Sequence, residues 1–377
     1  MHYHITTFGC QQNIADSERI ASYYEARGFA EAETPEGADV VVVNTCVVRE
    51  RAAEKVFGFV RNITKKNSSA HIVITGCLVG AASREPSGEM MKKLRRRLPD
   101  AEFLPLEEVG FEHVPKRGEG KHAWLPISNG CNNFCSYCIV PHSRGREISR
   151  PFAEVLEEAR EILDRGFSEV TILGQNVNSY GADILTAAKK RGEAYTLADG
   201  TEIAPTMVKH LGRHRIPTLF PQLLGQIAKM PFARVSFLSS NPWDFSEDLI
   251  GVIAEHANID RTIHLPIQSG SNAILQAMNR WYTREEYFEL VDRIRASILD
   301  ARFTTDIIVG FPGETEDDFE ATLDAARRVG FEKAYIGQYS PRPGTKAAGM
   351  EDTVSREVKR QRFHALDEAI RRFRVVD

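Results

Sequence analysis

Along the first hundred residues, short apolar runs alternate with amphipathic stretches. Tyr3 to Phe8 predicts a strand and Ala15–Ala26 a helix. Asp39-Val40-Val41-Val42-Val43 predicts a short strand of the buried type, with a helix near Arg51–Ile63 behind it. His71-Ile72-Val73-Ile74-Thr75 predicts a third strand, with helical sequence around Glu89–Leu98. Apolar runs separated by helices imply parallel strands in a doubly wound α/β layer over residues 1–114. Residues 115–123 are polar and glycine-rich and predict a linker.

A second βα series begins at Trp124. Strands are expected near Ala123–Ser128, Glu169–Leu173, Ala233–Leu238, Thr262–Ile267, Arg302–Val309 and Lys333–Tyr339. Helices fit Phe152–Arg165, Pro221–Lys229, Glu247–His256, Arg284–Ile298 and Glu316–Val329. Six βα units imply a partial TIM-type (βα)6 barrel over residues 124–350, with a C-terminal helix over 351–377. The loops after these strands are rich in glycine, hydroxyl and amide residues. Examples are Gly174-Gln175-Asn176-Val177-Asn178, Ser239-Ser240-Asn241-Pro242, Gln268-Ser269-Gly270-Ser271 and Gly310-Phe311-Pro312-Gly313-Glu314. Such a face suits a polar ligand.

Charge changes the picture little. Lys and Arg number 48 against 52 Asp and Glu, a net charge of −4, so the chain as a whole is no obvious nucleic-acid binder. Basic patches at Lys92–Arg97 and along Arg356–Arg374 are read as solvated helix faces or local nucleic-acid contacts. No apolar stretch approaches the roughly 18 residues of a membrane span. The N-terminus lacks a signal-peptide pattern, so a cytoplasmic location and no membrane partner are expected.

The six cysteines carry most of the chemistry. Cys10, Cys46 and Cys77 each sit just past one of the first three strands, in Phe8-Gly9-Cys10, Asn44-Thr45-Cys46 and Thr75-Gly76-Cys77. In an open parallel sheet the carboxyl ends of the strands share one edge, so these thiols are expected to meet there. Cys131, Cys135 and Cys138 have the spacing Cys-x3-Cys-x2-Cys. Three thiolates on one short loop can hold three irons of a [4Fe–4S] cluster and leave the fourth open. In radical S-adenosylmethionine (SAM) enzymes that open iron chelates SAM. Zinc fits less well, since a structural site needs a fourth ligand and only His142 is near in sequence. The N-terminal trio also lacks a fourth ligand, which implies a second open cluster that could bind a sulfur species.

Taken together the sequence resembles the tRNA methylthiotransferase (MiaB-type) family of radical SAM enzymes. The resemblance runs through Phe8-Gly9-Cys10-Gln11, Asn44-Thr45-Cys46 with Arg49-Glu50, and Thr75-Gly76-Cys77. It continues through Gly130–Pro141, Arg144-Gly145-Arg146-Glu147, Ser149-Arg150-Pro151, Leu265–Ser271, Met278-Asn279-Arg280 and Thr305–Glu314. Leu173-Gly174-Gln175-Asn176-Val177-Asn178-Ser179-Tyr180-Gly181 resembles the branch acting on N6-isopentenyladenosine beside the anticodon.

The resemblance implies two [4Fe–4S] clusters and SAM as cofactors. Cys131, Cys135 and Cys138 would generate the radical that takes hydrogen from C2 of the adenine, and Cys10, Cys46 and Cys77 would bind or donate sulfur. A second SAM would supply the methyl group. Gly174, Gln175 and Asn176 would contact the methionine part of SAM, with Gln268 and Asp306 as further SAM or substrate contacts. Arg144 and Arg146 would meet a SAM carboxylate or RNA phosphate, or else form a surface ion pair. The implied partners are the tRNA anticodon stem-loop, an electron donor such as flavodoxin or ferredoxin, and a sulfur donor. Three alternatives keep parts of this reading: another tRNA adenosine as substrate, a ribosomal-protein aspartate as substrate, or a non-enzymatic iron–sulfur electron carrier.

The sequence departs from the family pattern in places. Gln12 stands where methionine is usual, and Trp281 where glycine is common. Residues 182–217 form a longer segment than usual, holding Lys189, Lys190, Arg191, Lys209, His210, Arg213, His214 and Arg215; its position over the barrel mouth would suit substrate contact, with an ordered surface insertion or a disordered loop as equal alternatives. The family commonly continues into a small RNA-binding barrel of the TRAM type. This sequence stops at Val375-Val376-Asp377 without that barrel, so either the chain is incomplete or RNA binding is managed without it.

Overall fold

A computed structural model of the chain describes residues 1–47, 50–108, 113–196, 202–210 and 214–373. Arg49, Arg213 and 374–377, named above from the sequence, lie outside the described residues, as do the side chains of Glu50, His210, His214 and Arg215. The chain divides into two compact units. One comprises Met1–Gly120 with Asn129–Asn132 and Cys138–Arg146; the other comprises Lys121–Ser128, Asn133–Tyr137 and Glu147–Asp377.

In the first unit, five strands form one parallel sheet: β1 (His2–Phe8), β2 (Ala30–Glu31), β3 (Val40–Thr45), β4 (His71–Gly76) and β5 (Glu102–Phe103). Their order is β2-β1-β3-β4-β5, the doubly wound order whose switch point lies between β1 and β3. Every residue of β3 is buried. Val41 and Val43 pack into one core with Ile72, Ile74 and the helix face of Val56, Phe57 and Val60. Val40 and Val42 turn the other way, onto Tyr3, Ile20 and Tyr24. That two-sided burial explains why the strand reads as a continuous valine run. β2 and β5, two residues each, are too short to leave a pattern in the sequence.

Helix α1 spans Gln11–Glu25, four residues earlier at its start than the apolar periodicity indicated. Its first turn, Gln11-Gln12-Asn13-Ile14, is polar apart from Ile14 and is set by capping, with Cys10 at the N-cap position. Helix α2 spans Glu50–Lys66 and α3 spans Cys77–Arg84. In the segment expected as a linker, the Lys116 N–H donates to Glu18 O at 2.8 Å and its ammonium pairs with Glu25 and Glu31. His122 and Ala123 already belong to a strand of the second unit.

That second unit holds the six expected strands: β6 (His122–Pro126), β7 (Glu169–Leu173), β8 (Arg234–Phe237), β9 (Thr262–His264), β10 (Arg302–Val309) and β11 (Lys333–Gln338). They form two parallel sheets, ordered β8-β7-β6 and β9-β10-β11. A parallel bridge between Val235 and Ile259 joins them. Val235 N–H donates to Asn258 O at 2.8 Å, and Asp260 N–H donates to Val235 O at 2.9 Å. The result is an open (βα)6 barrel around one core that includes Leu125, Ile172, Phe237, Leu265 and Ile307. Its helices begin where the sequence signals them: Thr283 with Glu286 and Thr315 with Asp318 form capping boxes.

The segment 182–217 is an ordered insertion among the described residues. It contains a helix, Ala182–Arg191, and most of an antiparallel hairpin of Thr206–His210 with His214–Thr218. The basic residues near the C-terminus are largely committed to ion pairs. Lys359 pairs with Asp352 at 2.6 Å and Arg362 with Glu314 at 2.7 Å, both cations nearly inaccessible, on the helix Arg356–Phe373. Arg371 and Arg372 pair with Asp367 and Glu368 one turn away. In the first unit Arg97 pairs with Glu54 at 2.8 Å and lies over the Phe57 ring. These partners take charge out of the C-terminal patch and neutralise Arg97 of the other, where Lys93, Arg95 and Arg96 stay exposed.

Candidate iron–sulfur sites and the barrel-top loops

Strand register brings the N-terminal cysteines to one edge. Phe8 pairs with Thr45, and Thr45 with Gly76. The chain then leaves all three strands at the same level, into Gly9-Cys10, Cys46 and Cys77. Cys46 N–H donates back to Phe8 O at 2.7 Å. Cys10 caps α1 and is exposed, whereas Cys77 opens α3 and is buried. Two of the three thiols therefore sit at helix N-termini, where the backbone dipole favours an anion.

A buried polar network lies beneath them. Asn13 Nδ2 donates to Asn44 Oδ1 at 3.0 Å and to Thr45 O at 3.3 Å, and Asn44 Nδ2 donates to Asn13 O at 2.8 Å. Thr45 Oγ1 donates to Thr75 O at 2.6 Å. The loops after β1, β3 and β4 are thereby laced together. Gly76 has φ +89°, and a Cβ there would be driven into Asn44 and the Thr45 backbone. Gly76→Ala is therefore expected to cost about 1–3 kcal/mol and to lower the iron bound after reconstitution. Thermal unfolding and iron analysis of the purified variant check both.

Arg144 lies in the same unit, 5% exposed. Its Nη2 donates to Asp16 Oδ2 at 2.6 Å, Nη1 to Asn129 Oδ1 at 2.9 Å, and Nε to Cys77 Sγ at 3.3 Å. The expectation of a surface ion pair is thus corrected: the pair is buried, with both side chains under 5% exposed. Burial pushes the Cys77 thiol up, and the Arg144 guanidinium opposes that push. Asn13, Asp16 and Asn129 were not singled out from the sequence. Asn and Asp near the start of a helix signal capping more often than a shell around a thiol.

Among the described residues, no three His, Cys, Asp or Glu side chains converge closely enough for a single metal ion. A four-iron cube spaces its cysteine sulfurs wider than a mononuclear ion does, so the donor set is the relevant test. Three cysteines on three adjacent strand ends, with no fourth, fit an open cluster.

The Cys131–Cys138 loop is divided between the units, with Cys131 and Cys138 in the first and Cys135 in the second. In the first unit, Cys131 N–H donates to Gly145 O at 3.2 Å. In the second, the loop is gripped by the segment Ala277–Arg280. Ser136 donates through its N–H to Met278 O at 2.9 Å and through Oγ to Ala277 O at 2.8 Å, and Asn279 Nδ2 donates to Phe134 O at 3.0 Å. Phe134 and Asn279 both hold left-handed backbone, φ 48° and 58°. Arg280 is buried; it donates to Cys135 Sγ at 3.6 Å, Asn241 Oδ1 at 2.9 Å and Pro266 O at 2.9 Å. Met278-Asn279-Arg280 is thus a clasp on the cysteine loop.

On the barrel-top loops, Gly174 is pressed against β6's end: a Cβ would lie 2.8 Å from Ser128 Oγ. Gln175 is half-buried on the same loop. Asn176 is fully buried and donates through Nδ2 to Asp244 Oδ2 at 2.7 Å. Asn178 Nδ2 donates to Asn241 O at 3.2 Å. Among the described residues, Ser128 Oγ, Asn176 Oδ1, Asn178 Oδ1 and Ser240 Oγ are buried without a hydrogen-bond partner. Such atoms at the ends of β6, β7 and β8 fit a polar ligand that would satisfy them. Gln268 is buried with φ 69° and exchanges backbone hydrogen bonds with β10, donating to Asp306 O and accepting from Ile308 N–H, both at 2.9 Å. The half-exposed Asp306 carboxylate faces His264 Nε2 at 3.3 Å.

Glu147, absent from the sequence-derived set, lies under the Asn176–Ser179 loop. Both of its carboxyl oxygens lie within 2.7 and 2.8 Å of Ser179 Oγ. Burial pushes its pKa up to about 8; the Ser179 hydrogen bond opposes the shift, and Asp183 and Asp244 add to it. The folded state therefore holds a proton that the unfolded chain releases near pH 4.5. This contribution is complete below that pH, falls as pH rises, and is gone above about 8. Glu147→Gln is expected to flatten the decline in stability between pH 5 and 8, roughly a few kcal/mol, as read from unfolding midpoints across that range.

Residues 125–326 match the Radical SAM superfamily, and residues 2–94 match the uncharacterized protein family UPF0004. A tRNA-2-methylthio-N(6)-dimethylallyladenosine synthase of Carboxydothermus hydrogenoformans is 41% identical over 399 residues, covering 97% of this chain and 82% of the relative. The synthase of the same name from Geobacillus kaustophilus is 38% identical, covering 98% of this chain and 68% of the relative. The chain belongs to this family. Radical SAM membership brings SAM and a [4Fe–4S] cluster as cofactors. The fold is shared with the radical SAM methyltransferase TsrM of Kitasatospora setae, with a TM-score of 0.59 at 15% identity over 92% of this chain and 74% of that one. OxsB, a cobalamin-dependent SAM radical enzyme, superposes with a TM-score of 0.53 at 12% identity, over 98% of this chain and 56% of that chain. Family membership does not favour the electron-carrier and ribosomal-protein alternatives. Among the described residues no helix is long and apolar enough to cross a membrane.

Proposed function

We propose that the chain is a methylthiotransferase that installs a methylthio group at C2 of N6-isopentenyladenosine beside the anticodon of tRNA. The observation that carries this reading is the pairing of two cysteine sets in a chain alignable with these synthases over almost its full length. Cys131, Cys135 and Cys138 hold one [4Fe–4S] cluster through three irons. Bound there, the cluster would supply the electron for reductive cleavage of SAM, the chemistry that starts hydrogen abstraction from the substrate.

Cys10, Cys46 and Cys77 would hold a second cluster, which would supply a binding place for the sulfur to be transferred. A second SAM provides the methyl group. The orphaned atoms of Ser128, Asn176, Asn178 and Ser240 support a SAM seat on the Gly174–Asn176 loop, with Gln268 and Asp306 on the adjoining strand ends. Arg144 spends its donors on Asp16, Asn129 and Cys77, which supports a positioning role rather than contact with SAM or phosphate. An external reductant of the flavodoxin or ferredoxin class, a sulfur donor and a cytoplasmic location complete the reading.

Expression in a bacterium lacking its own synthase of this family tests it. The 2-methylthio nucleoside is expected in digests of total tRNA. Its absence, with iron-loaded protein present, would contradict the assignment.

A further inference from the structure

A cavity of about 540 Å³ opens in the second unit between the inserted hairpin, the loop after β8 and the helix Arg284–Ser297. Two features that the family resemblance left unexplained meet there: the segment 182–217, through Thr206–Lys209, and Trp281. One wall is a run of rings. Trp243 lies 5.8 Å from Tyr282, and Tyr282 lies 6.1 Å from Tyr287. The rings are pinned, because Tyr282 O–H donates to Ile267 O at 2.6 Å and Tyr287 O–H to Leu265 O at 2.8 Å.

The charged groups around the cavity mostly have partners already. Lys209 pairs with Glu286 at 3.3 Å and Arg293 with Glu247 at 2.8 Å. Asp248 accepts from Thr206 at 2.5 Å, and Asp244 from Asn176 at 2.7 Å. Both lining cations are thus engaged, which argues against a phosphate. Two groups remain among the described residues: the buried Trp243 indole N–H, without a hydrogen-bond partner, and the exposed Glu289 carboxylate, without an ion pair.

One aromatic wall within a polar, largely ion-paired lining, one buried donor and one carboxylate acceptor match a nucleobase. Its faces stack on rings, a ring nitrogen or carbonyl accepts from the indole, and an exocyclic amine donates to the carboxylate. The volume is that of a small-molecule site. The inner wall is also close to the radical SAM loop. Arg280, whose guanidinium touches Cys135 Sγ, lies over Trp243 at 4.5 Å.

We infer that this cavity takes an amino-bearing base, cytosine or adenine, turned out of the RNA substrate at a position other than the modified nucleotide. The inference rests on RNA being the substrate, as proposed above.

Full-length protein is titrated with fluorescein-labelled anticodon stem-loop RNAs, each carrying one abasic position. At one position outside the target nucleotide, the wild type is expected to lose affinity about ten-fold. Trp281→Ala should weaken binding of intact RNA by a similar factor and remove the difference between intact RNA and that abasic RNA. Met207→Trp, which fills the cavity from the hairpin and leaves the ring wall in place, should do the same. Losses that multiply, or sensitivity at the target nucleotide alone, would overturn the inference while the substrate assignment stands. A wild type that binds none of the RNAs would overturn both.

Discussion

Cys131→Ala is expected to abolish SAM cleavage, whereas Cys46→Ala is expected to leave cleavage intact and stop sulfur insertion. This is the largest separation of effects expected from the chain. The two cysteine sets stand on different parts of the sequence: one on the loops after β1, β3 and β4, the other on the single loop 131–138. Cys131 follows Gly130, whose φ of +83° leaves no room for a Cβ beside the Arg146 carbonyl. Removing one thiolate of the Cys-x3-Cys-x2-Cys set leaves two ligands for a cluster that already lacks a fourth, and no nearby cysteine can replace it. Cys46 stands at the end of β3, between the strands that deliver Cys10 and Cys77. Its loss leaves the barrel-top loops untouched. 5′-Deoxyadenosine and methylthio nucleoside, quantified from the same reactions, separate the two roles. Loss of SAM cleavage in Cys46→Ala with the other cluster intact would refute the division.

Arg144→Met is the second large effect, expected to destabilise the N-terminal unit by about 3–5 kcal/mol. The guanidinium is held charged by Asp16, and both side chains are almost wholly removed from water. Methionine can fill the volume but leaves the Asp16 carboxylate buried and uncompensated. Asp16→Asn in the same chain removes that charge, so the double variant should be less destabilised than the two single changes summed. Hydrogen exchange of the β3 amides reports on this unit alone. Exchange should quicken by about a hundred-fold or more in Arg144→Met and recover in part in the double variant. The Cys77 contact adds a second readout: iron in the N-terminal trio should fall in Arg144→Met even where the unit stays folded.

Much of this was legible in the sequence because the signals were local. The valine run of β3 and the apolar run of β4 announced buried parallel strands, and the cysteines just past them announced a shared edge. The six barrel strands were readable for the same reason, and their helices carried capping residues such as Thr283 and Thr315. What stayed hidden was long-range. Asn13, Asn44 and Thr45 form a floor only once β1, β3 and β4 are in register. Arg144 reads as a ligand-binding arginine until the fold buries it against Asp16, 128 residues away. Glu147 gives no local sign that it stands beneath Ser179. The inserted hairpin has strands of five residues, with Pro217 inside one of them, too weak a pattern to predict.

The most direct test of the central claim is an anaerobic reaction of the reconstituted protein with SAM, a reductant, a sulfur source and tRNA containing N6-isopentenyladenosine, read by nucleoside mass spectrometry. The 2-methylthio nucleoside is expected to form together with 5′-deoxyadenosine. Formation of 5′-deoxyadenosine without the methylthio nucleoside would contradict the assignment of this tRNA base as the substrate.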